Sequence, residues 1–385
     1  MKVKKLIKVN SFLYMGMLLL IIKTFLSYSS IFVISSFVDN VLSILGALFL
    51  CVAILQKRYN AKILCIYFGV VVFSLYLCYR VNNLQILITV ITILVVRDYD
   101  FDKLIRFIFQ YELLLFIIHS AIGAFQTFIL GYQYYFIYNN QIRYSLGFGH
   151  ANVLSAVVFN LISMYLWLNY EKMTLKKFSM LFVIEFFMYI LTKTRTSLFL
   201  TIFELLLVYC IRFKLFSKGI NFISSIIIPI ITFLFYYFTV NLFHSPIAMF
   251  INTLLTGRLT LSAYAYDKVG FTFWGQDVSK LYSGVEWDQT YQLNKFTFDS
   301  FYSCAFFNLG LFLLIVISIF VFLLSLRKEK KINVFLICWA LYSITEVHGI
   351  NCYMCFSILL ISILISKKKT SVIQIKEAKY EKIEC

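Results

Sequence analysis

Residues 301–331 read FYSCAFFNLGLFLLIVISIFVFLLSLRKEKK: positions 301–326 carry no charge, and 327–331 are basic apart from Glu329. A helix needs about 20 apolar residues to cross a bilayer, and Lys and Arg gather where such a helix meets the cytoplasm. This stretch therefore reads as one membrane span with a cytoplasmic end. The pattern repeats in both directions along the chain. Candidate spans are 11–30, 37–55, 63–79, 84–96, 107–130, 151–168, 178–192, 198–211, 221–241, 301–326, 332–346 and 350–366. Lys23 lies midway along the first, where it snorkels or faces the bundle interior, and Pro229 is expected to kink the ninth.

The composition leaves little alternative. Hydrophobic residues make up 61% of the 385 positions and charged residues 14%, where a soluble domain carries about a quarter charged. One soluble core cannot hide that much apolar surface. The fold class read here is an all-α membrane protein with about twelve transmembrane helices. It forms a single polytopic domain over 1–385, with a large extracytoplasmic loop at 242–300 and a cytoplasmic tail at 367–385.

The net charge of +17 suits nucleic acid only if it is clustered on one surface, and it is not. With the N-terminus in the cytoplasm, about 26 of the 35 Lys and Arg residues fall in inner segments. That is the positive-inside asymmetry, and dropping one span reverses every downstream loop. Both termini are thus expected in the cytoplasm of a multi-pass cell-membrane protein, with no nucleic-acid partner. The basic N-terminus leads into a first helix read as retained, because no small-residue cleavage site follows it. Of nine cysteines, Cys51, Cys65, Cys78 and Cys210 sit in apolar runs and read as buried thiols. Cys352 and Cys355 form a C-x-x-C pair without a thioredoxin-like setting.

Two outer segments are long enough to carry function. Residues 242–300 hold Arg258, Asp267, Lys268, Asp277, Lys280, Glu286, Asp288, Lys295 and Asp299, and residues 131–151 are rich in tyrosine. Lys193-Thr194-Arg195-Thr196-Ser197 places cations outside, as a headgroup-level loop or as a phosphate site. Arginine suits phosphate because its planar fork donates two parallel hydrogen bonds. Arg258 opens an amphipathic stretch that reads as a helix lying on the membrane or as a second phosphate ligand. Arg143 precedes Gly147-Phe148-Gly149-His150-Ala151-Asn152, where a loop, a helix start and an imidazole converge. Asp299 begins the tenth span, and Glu346 and His348 end the eleventh. Ionisable groups at membrane depth are functional candidates by default. Asp299 is also a good helix N-cap residue.

These segments resemble the Wzy-type polysaccharide polymerases of the O-antigen ligase and polymerase superfamily, from about residue 140 to 350. Gly147-Phe148-Gly149-His150-Ala151-Asn152 is similar to a GFGHPN element of Gram-positive capsule and exopolysaccharide polymerases, with alanine for proline. Thr194-Arg195-Thr196-Ser197 resembles an S-R-T-S element. Gly257-Arg258-Leu259 followed by Phe273-Trp274-Gly275-Gln276 resembles a stretch of the family's large outer loop. Asp299-Ser300-Phe301-Tyr302, with Gly310 beyond it, resembles a ligase motif with aspartate in place of histidine. Glu346 lies near the last outer loop.

The resemblance implies a GT-C-like glycosyltransferase needing neither metal nor other cofactor. Its substrates are undecaprenyl-pyrophosphate-linked oligosaccharides, joined into capsule or exopolysaccharide. Arg195 and Arg258, with Arg143 as a third, are then expected to hold the pyrophosphate. Asp299 is expected to be the base, with Glu346 and His150 as substitutes. Asn152, Trp274 and His348 are further substrate contacts, and Trp274 and Trp287 are candidates for stacking on sugars. Flippase and chain-length regulator proteins are the expected partners. Rival readings are a flippase for the same lipid-linked substrate, a ligase-type glycan transferase, and a membrane acyltransferase whose histidine-acid signature is not evident.

Overall fold

A computed structural model describes residues 2–138, 140–282, 288, 290–291 and 296–366, with the backbone course alone at 2–10, 214–215 and 217–218. The expected tail at 367–385, and Glu286, Trp287 and Lys295, lie outside the described residues. In chain order the first helices are α1 (Lys2–Ser27), α2 (Ser36–Leu55), α3 (Ala61–Val81), α4 (Gln85–Val96) and α5 (Phe101–Phe128). A hairpin of β1 (Tyr135–Tyr138) and β2 (Gln141–Tyr144) follows. Then come α6 (Ala151–Asn169), α7 (Leu175–Thr192), α8 (Arg195–Cys210), α9 (Lys214–Val240), α10 (Pro246–Leu254), α11 (Arg258–Val269) and α12 (Ser279–Tyr282). The chain closes with α13 (Phe301–Cys304), α14 (Leu311–Ser325), α15 (Lys330–Thr345) and α16 (Ile361–Ile365).

Among the described residues, five helical stretches are long and apolar enough to cross a membrane, at 36–55, 61–81, 101–128, 151–172 and 219–240. Burial divides them into two kinds. The fourth is 78% buried, so α6 is the central post of the bundle; the others are buried over only 22–33% of their windows. Their remaining faces carry exposed Phe68, Ile117 and Phe233, and α7 and α8 likewise expose Phe187 and Phe199. So much outward apolar surface has hydrocarbon as its solvent. The chain is an all-α membrane protein.

The basic loops knit one end together. The Lys57 ammonium lies 3.5 Å over the Tyr99 ring, the Tyr59 hydroxyl donates to Asp98 at 2.6 Å, and Arg97 donates to the Tyr67 hydroxyl at 2.7 Å. Lys331 lies 3.9 Å over the Trp167 ring, and Trp167 donates to Asp102 at 2.8 Å. From this basic end, the 28 residues of α5 rise about 42 Å to the hairpin end. Pro229 sits within α9 without ending it.

Two expected spans are not continuous helices. The run 301–326 breaks at Gly310 into α13 with a π-helical turn (Ala305–Leu309) and then α14. The cause is the stretch Thr272–Gln276, which lies against the break and takes up its free backbone groups. Thr272 N donates to Phe306 O (3.0 Å), Gln276 N to Asn308 O (2.9 Å) and Leu311 N to Thr272 O (2.9 Å). Side chains complete the splice: Gln276 Nε2 donates to Phe307 O at 2.9 Å, and Asn308 Nδ2 to Gln276 O at 2.9 Å. Gly310 adopts φ +101°, and a Cβ there would stand 2.6 Å from both Gly275 N and Phe273 O. Gly310→Ala is therefore expected to cost about 2–4 kcal/mol, read as a lower midpoint of thermal unfolding in detergent.

The second correction is the run 350–366. Residues 347–360 form turns and 3-10 segments, and only Ile361–Ile365 is α-helical. This irregular backbone turns back into the bundle, where Trp339 Nε1 donates to Gly349 O (2.8 Å) and Phe356 N donates to Asn160 Oδ1 (2.9 Å). The short α4 lies beside it, with Thr89 Oγ1 donating to Ile350 O at 2.7 Å. Non-helical backbone is tolerated at membrane depth where protein supplies its hydrogen bonds.

Candidate functional site

The hairpin end gathers the charged residues singled out in the sequence. Arg258 opens α11 after Gly257, and Arg258, Leu259 and Ser262 of its first turns are buried. A helix lying on the membrane surface does not describe it. Asn252 exchanges hydrogen bonds with Thr260 (2.9 and 3.1 Å) and ties α10 to α11. Ser262 Oγ, 3.0 Å from Ser303 Oγ, ties α11 to α13.

The Arg258 fork is held on three sides. Its Nε donates to Thr345 O (3.0 Å), and its Nη1 donates to Leu255 O (3.1 Å) and Thr256 Oγ1 (2.7 Å). Nη2 faces Glu346 Oε1 at 3.8 Å, an ion-pair distance too long for a hydrogen bond. Glu346 follows α15 as its cap residue, in extended conformation. Glu346 is buried, so its charged form loses most of its water, and one guanidinium at 3.8 Å returns only part of that loss.

Asp299 reaches this neighbourhood through the backbone. Phe301 N donates to Glu346 O (3.2 Å) and Ser300 Oγ donates to Ser343 O (3.2 Å), laying the start of α13 along the end of α15. Asp299 itself is half-buried and accepts from Thr297 Oγ1 at 3.1 Å. Ser300, not Asp299, occupies the N-cap position of α13. Asp299 thus precedes the helix and does not share a helical face with Tyr302 and Phe306. Next to Glu346, His348 is buried and bonded to the Tyr28 hydroxyl at 3.2 Å. Two buried hydroxyls of the last turns of α15, Tyr342 and Ser343, have no partner among the described residues.

Arg143 joins from the hairpin. It donates from Nε to Thr192 O (2.9 Å) and from Nη2 to Asn152 Oδ1 (2.7 Å) and Thr194 Oγ1 (3.1 Å). Burial lowers its pKa, Tyr138 raises it, and the nearby Arg258 charge lowers it again. Two guanidiniums at one bundle end, beside a buried carboxyl, can hold a multiply charged anion and accept a proton. Arg195 begins α8 next to Thr194 and is exposed, with no hydrogen bond or ion pair to the described residues.

The other expected site residues have structural duties. His150 is the N-cap of α6, its Nδ1 accepting from Asn152 N at 3.1 Å. Gly147 has φ +85°, and a Cβ there would strike the Ile31 side chain at 2.3 Å. The glycine-rich element is pinned to the loop after α1 by Ser30 N to Gly147 O (2.7 Å) and Gly149 N to Tyr28 O (2.8 Å). Trp274 lies in an aromatic cluster with Phe273 (4.7 Å) and Phe312 (4.9 Å), on the splice that brackets Gly310.

Three buried carboxyls were missed in the sequence. Glu112, Glu185 and Glu204 lie within α5, α7 and α8. Asn160 Nδ2 donates to Glu112 (3.0 Å), Ser163 Oγ to Glu204 (2.7 Å) and Ser197 Oγ to Glu185 (2.7 Å). Each keeps one carboxyl oxygen without a partner among the described residues. The signal was present, since an acid inside an apolar run is a functional candidate. The chain matches no protein-family model, no curated protein and no solved structure.

Proposed function

We propose that this chain is a polysaccharide polymerase of the cell membrane. It transfers a growing glycan from its undecaprenyl-pyrophosphate carrier to a new lipid-linked repeat unit, by metal-independent glycosyl transfer. The observation that carries the reading is the Arg258–Glu346 pair at 3.8 Å, with Asp299 near its carboxyl and Arg143 near enough to feel the Arg258 charge. A departing pyrophosphate needs fixed positive charge, and an attacking sugar hydroxyl needs a base beside it. In this reading Arg258 and Arg143 hold the pyrophosphate, the exposed Arg195 meets it on arrival, and Glu346 takes the proton. An apolar cavity of about 650 Å3 between α9 and α14, lined by Pro229, Tyr236, Phe306 and Leu314, suits the carrier's polyprenyl tail.

The proposal includes about twelve membrane crossings in a GT-C-like arrangement, the hairpin end on the outer face and both termini in the cytoplasm. Reporter fusions at Lys172, Lys214 and Lys328 are expected to report cytoplasm, and fusions at Tyr138 and Lys280 the outside. An inner Lys280 rejects the outer-face site. A second reading, a flippase for the same lipid-linked substrate, is favoured by the broken helix at Gly310 and the irregular buried segment 347–360. Discontinuous helices of this kind line the substrate paths of transporters. Deletion of the gene separates the two. A polymerase defect accumulates single repeat units on the outer face; a flippase defect removes them from that face.

A further inference from the structure

The hairpin has two faces of different character. In its antiparallel register Tyr135 opposes Tyr144, Phe136 opposes Arg143, Ile137 opposes Ile142 and Tyr138 opposes Gln141. Directly opposed residues share a face, and faces alternate along a strand. One face therefore carries Phe136, Arg143, Tyr138 and Gln141. Its Arg143 is turned inward and holds Thr192, Asn152 and Thr194, and Phe136 lies 5.1 Å from the His150 ring, while Tyr138 and Gln141 near the turn are exposed. The other face carries Tyr135, Tyr144, Ile137 and Ile142. Tyr144 packs on Phe128 at 5.2 Å, which joins this face to the end of α5.

Beyond that contact the second face is bare. Ile137 is 70% and Ile142 46% exposed. Through that contact the face adjoins exposed Phe125, Phe128, Ile129 and Leu130 at the end of α5, a helix long and apolar enough to cross a membrane. Residues 131–142, GYQYYFIYNNQI, hold no charged side chain and four tyrosines. Uncharged, tyrosine-rich chain next to a helix end is the composition of the headgroup boundary. The Arg143 face is held by α6 and the α7–α8 junction, and the contact of Tyr144 with the α5 end names the surface for the other face.

We propose that the β1–β2 hairpin is a membrane-surface anchor. Its Ile137/Ile142 face lies in the headgroup–acyl boundary of the adjacent leaflet, while its other face holds Arg143 over the charged cluster. The leaflet thereby sets the height at which Arg143 stands. This inference rests on the hairpin's own geometry and is independent of the glycan reading.

The test is photocrosslinking of the full chain in vesicles of phosphatidylethanolamine and phosphatidylglycerol. p-Benzoylphenylalanine is placed in turn at Ile137 and Ile142 on the apolar face, and at Gln141 on the opposite, polar one. Mass spectrometry after irradiation is expected to find phospholipid adducts at 137 and 142, at least tenfold above 141. Two positions guard against one substitution disturbing the hairpin. A covalent dimer of the chain from 137 or 142 would make the face an interface between copies and overturn the proposal. Lipid adducts no more frequent at 137 and 142 than at 141 overturn it as well.

Discussion

Arg258→Lys is expected to lower the rate of glycan polymerisation by about 10²–10³-fold, the range for loss of one preorganised donor to a developing anion. The guanidinium spends Nε and Nη1 on Thr345 O, Leu255 O and Thr256 Oγ1, and those three bonds aim Nη2 across the Glu346 carboxyl. An ammonium keeps the charge but has one nitrogen. It cannot bond Thr345 O, brace against Thr256 and still point at a phosphate oxygen. Some loss of stability accompanies the change, about 1–3 kcal/mol for a buried carbonyl left without its donor. Turnover and thermal unfolding of the purified variant are therefore measured together. A folded Arg258→Lys protein with wild-type turnover rejects the phosphate-holding role.

Glu346→Gln is expected to have an equal or larger effect, on the order of 10²-fold or more in turnover, because glutamine keeps the shape and cannot accept the proton. Asp299 precedes α13 and is half-buried near this carboxyl, so Asp299→Asn is expected to keep most of the turnover. The opposite result, a dead Asp299→Asn with an active Glu346→Gln, moves the base to Asp299, as the sequence alone suggested.

What could be read in the sequence was whatever local composition dictates. The apolar runs at 37–55, 63–79, 107–130 and 151–168 became α2, α3, α5 and α6 with ends shifted by a few residues. The breaks were not legible, because their cause is remote. Gly310 stands in an apolar run that gives no sign of ending, and only the Thr272–Gln276 stretch, brought alongside by the fold, supplies the partners that let the helix open. The same holds for 347–360, whose backbone leans on Trp339, Asn160 and Thr89 from three other helices.

The site was partly legible for a similar reason. Arg258, Glu346, Arg143 and Asp299 all stood out as charges where charge is costly, and they do gather at one end. Their division of labour depends on burial. Arg258 is 6% exposed, while Arg195, in an equally prominent motif, is exposed, and no pattern in the sequence separates the two. His150 and the glycines beside it stood out as a loop, a helix start and an imidazole converging, and the structure uses that loop to start α6 and to clamp it to the loop after α1.

The three glutamates around α6 have a consequence for how the chain enters the membrane. A helix handed singly to lipid carries a penalty of about 2.5–3.5 kcal/mol for an ionised residue near its middle. Within the chain Glu112, Glu185 and Glu204 meet Asn160, Ser197 and Ser163, so none of α5, α7 and α8 is fully satisfied until a neighbour has arrived. Asn160 and Ser163 both belong to α6, the post around which the others stand. During synthesis α5 emerges first of the four and waits for α6, while α7 waits for α8, whose own Glu204 finds Ser163 of α6 already in place. Insertion of this stretch is therefore expected to go by pairs, α5 held until α6 arrives and α7 until α8, and a ribosome stalled after α5 is expected to leave behind a segment prone to slip back out of the bilayer.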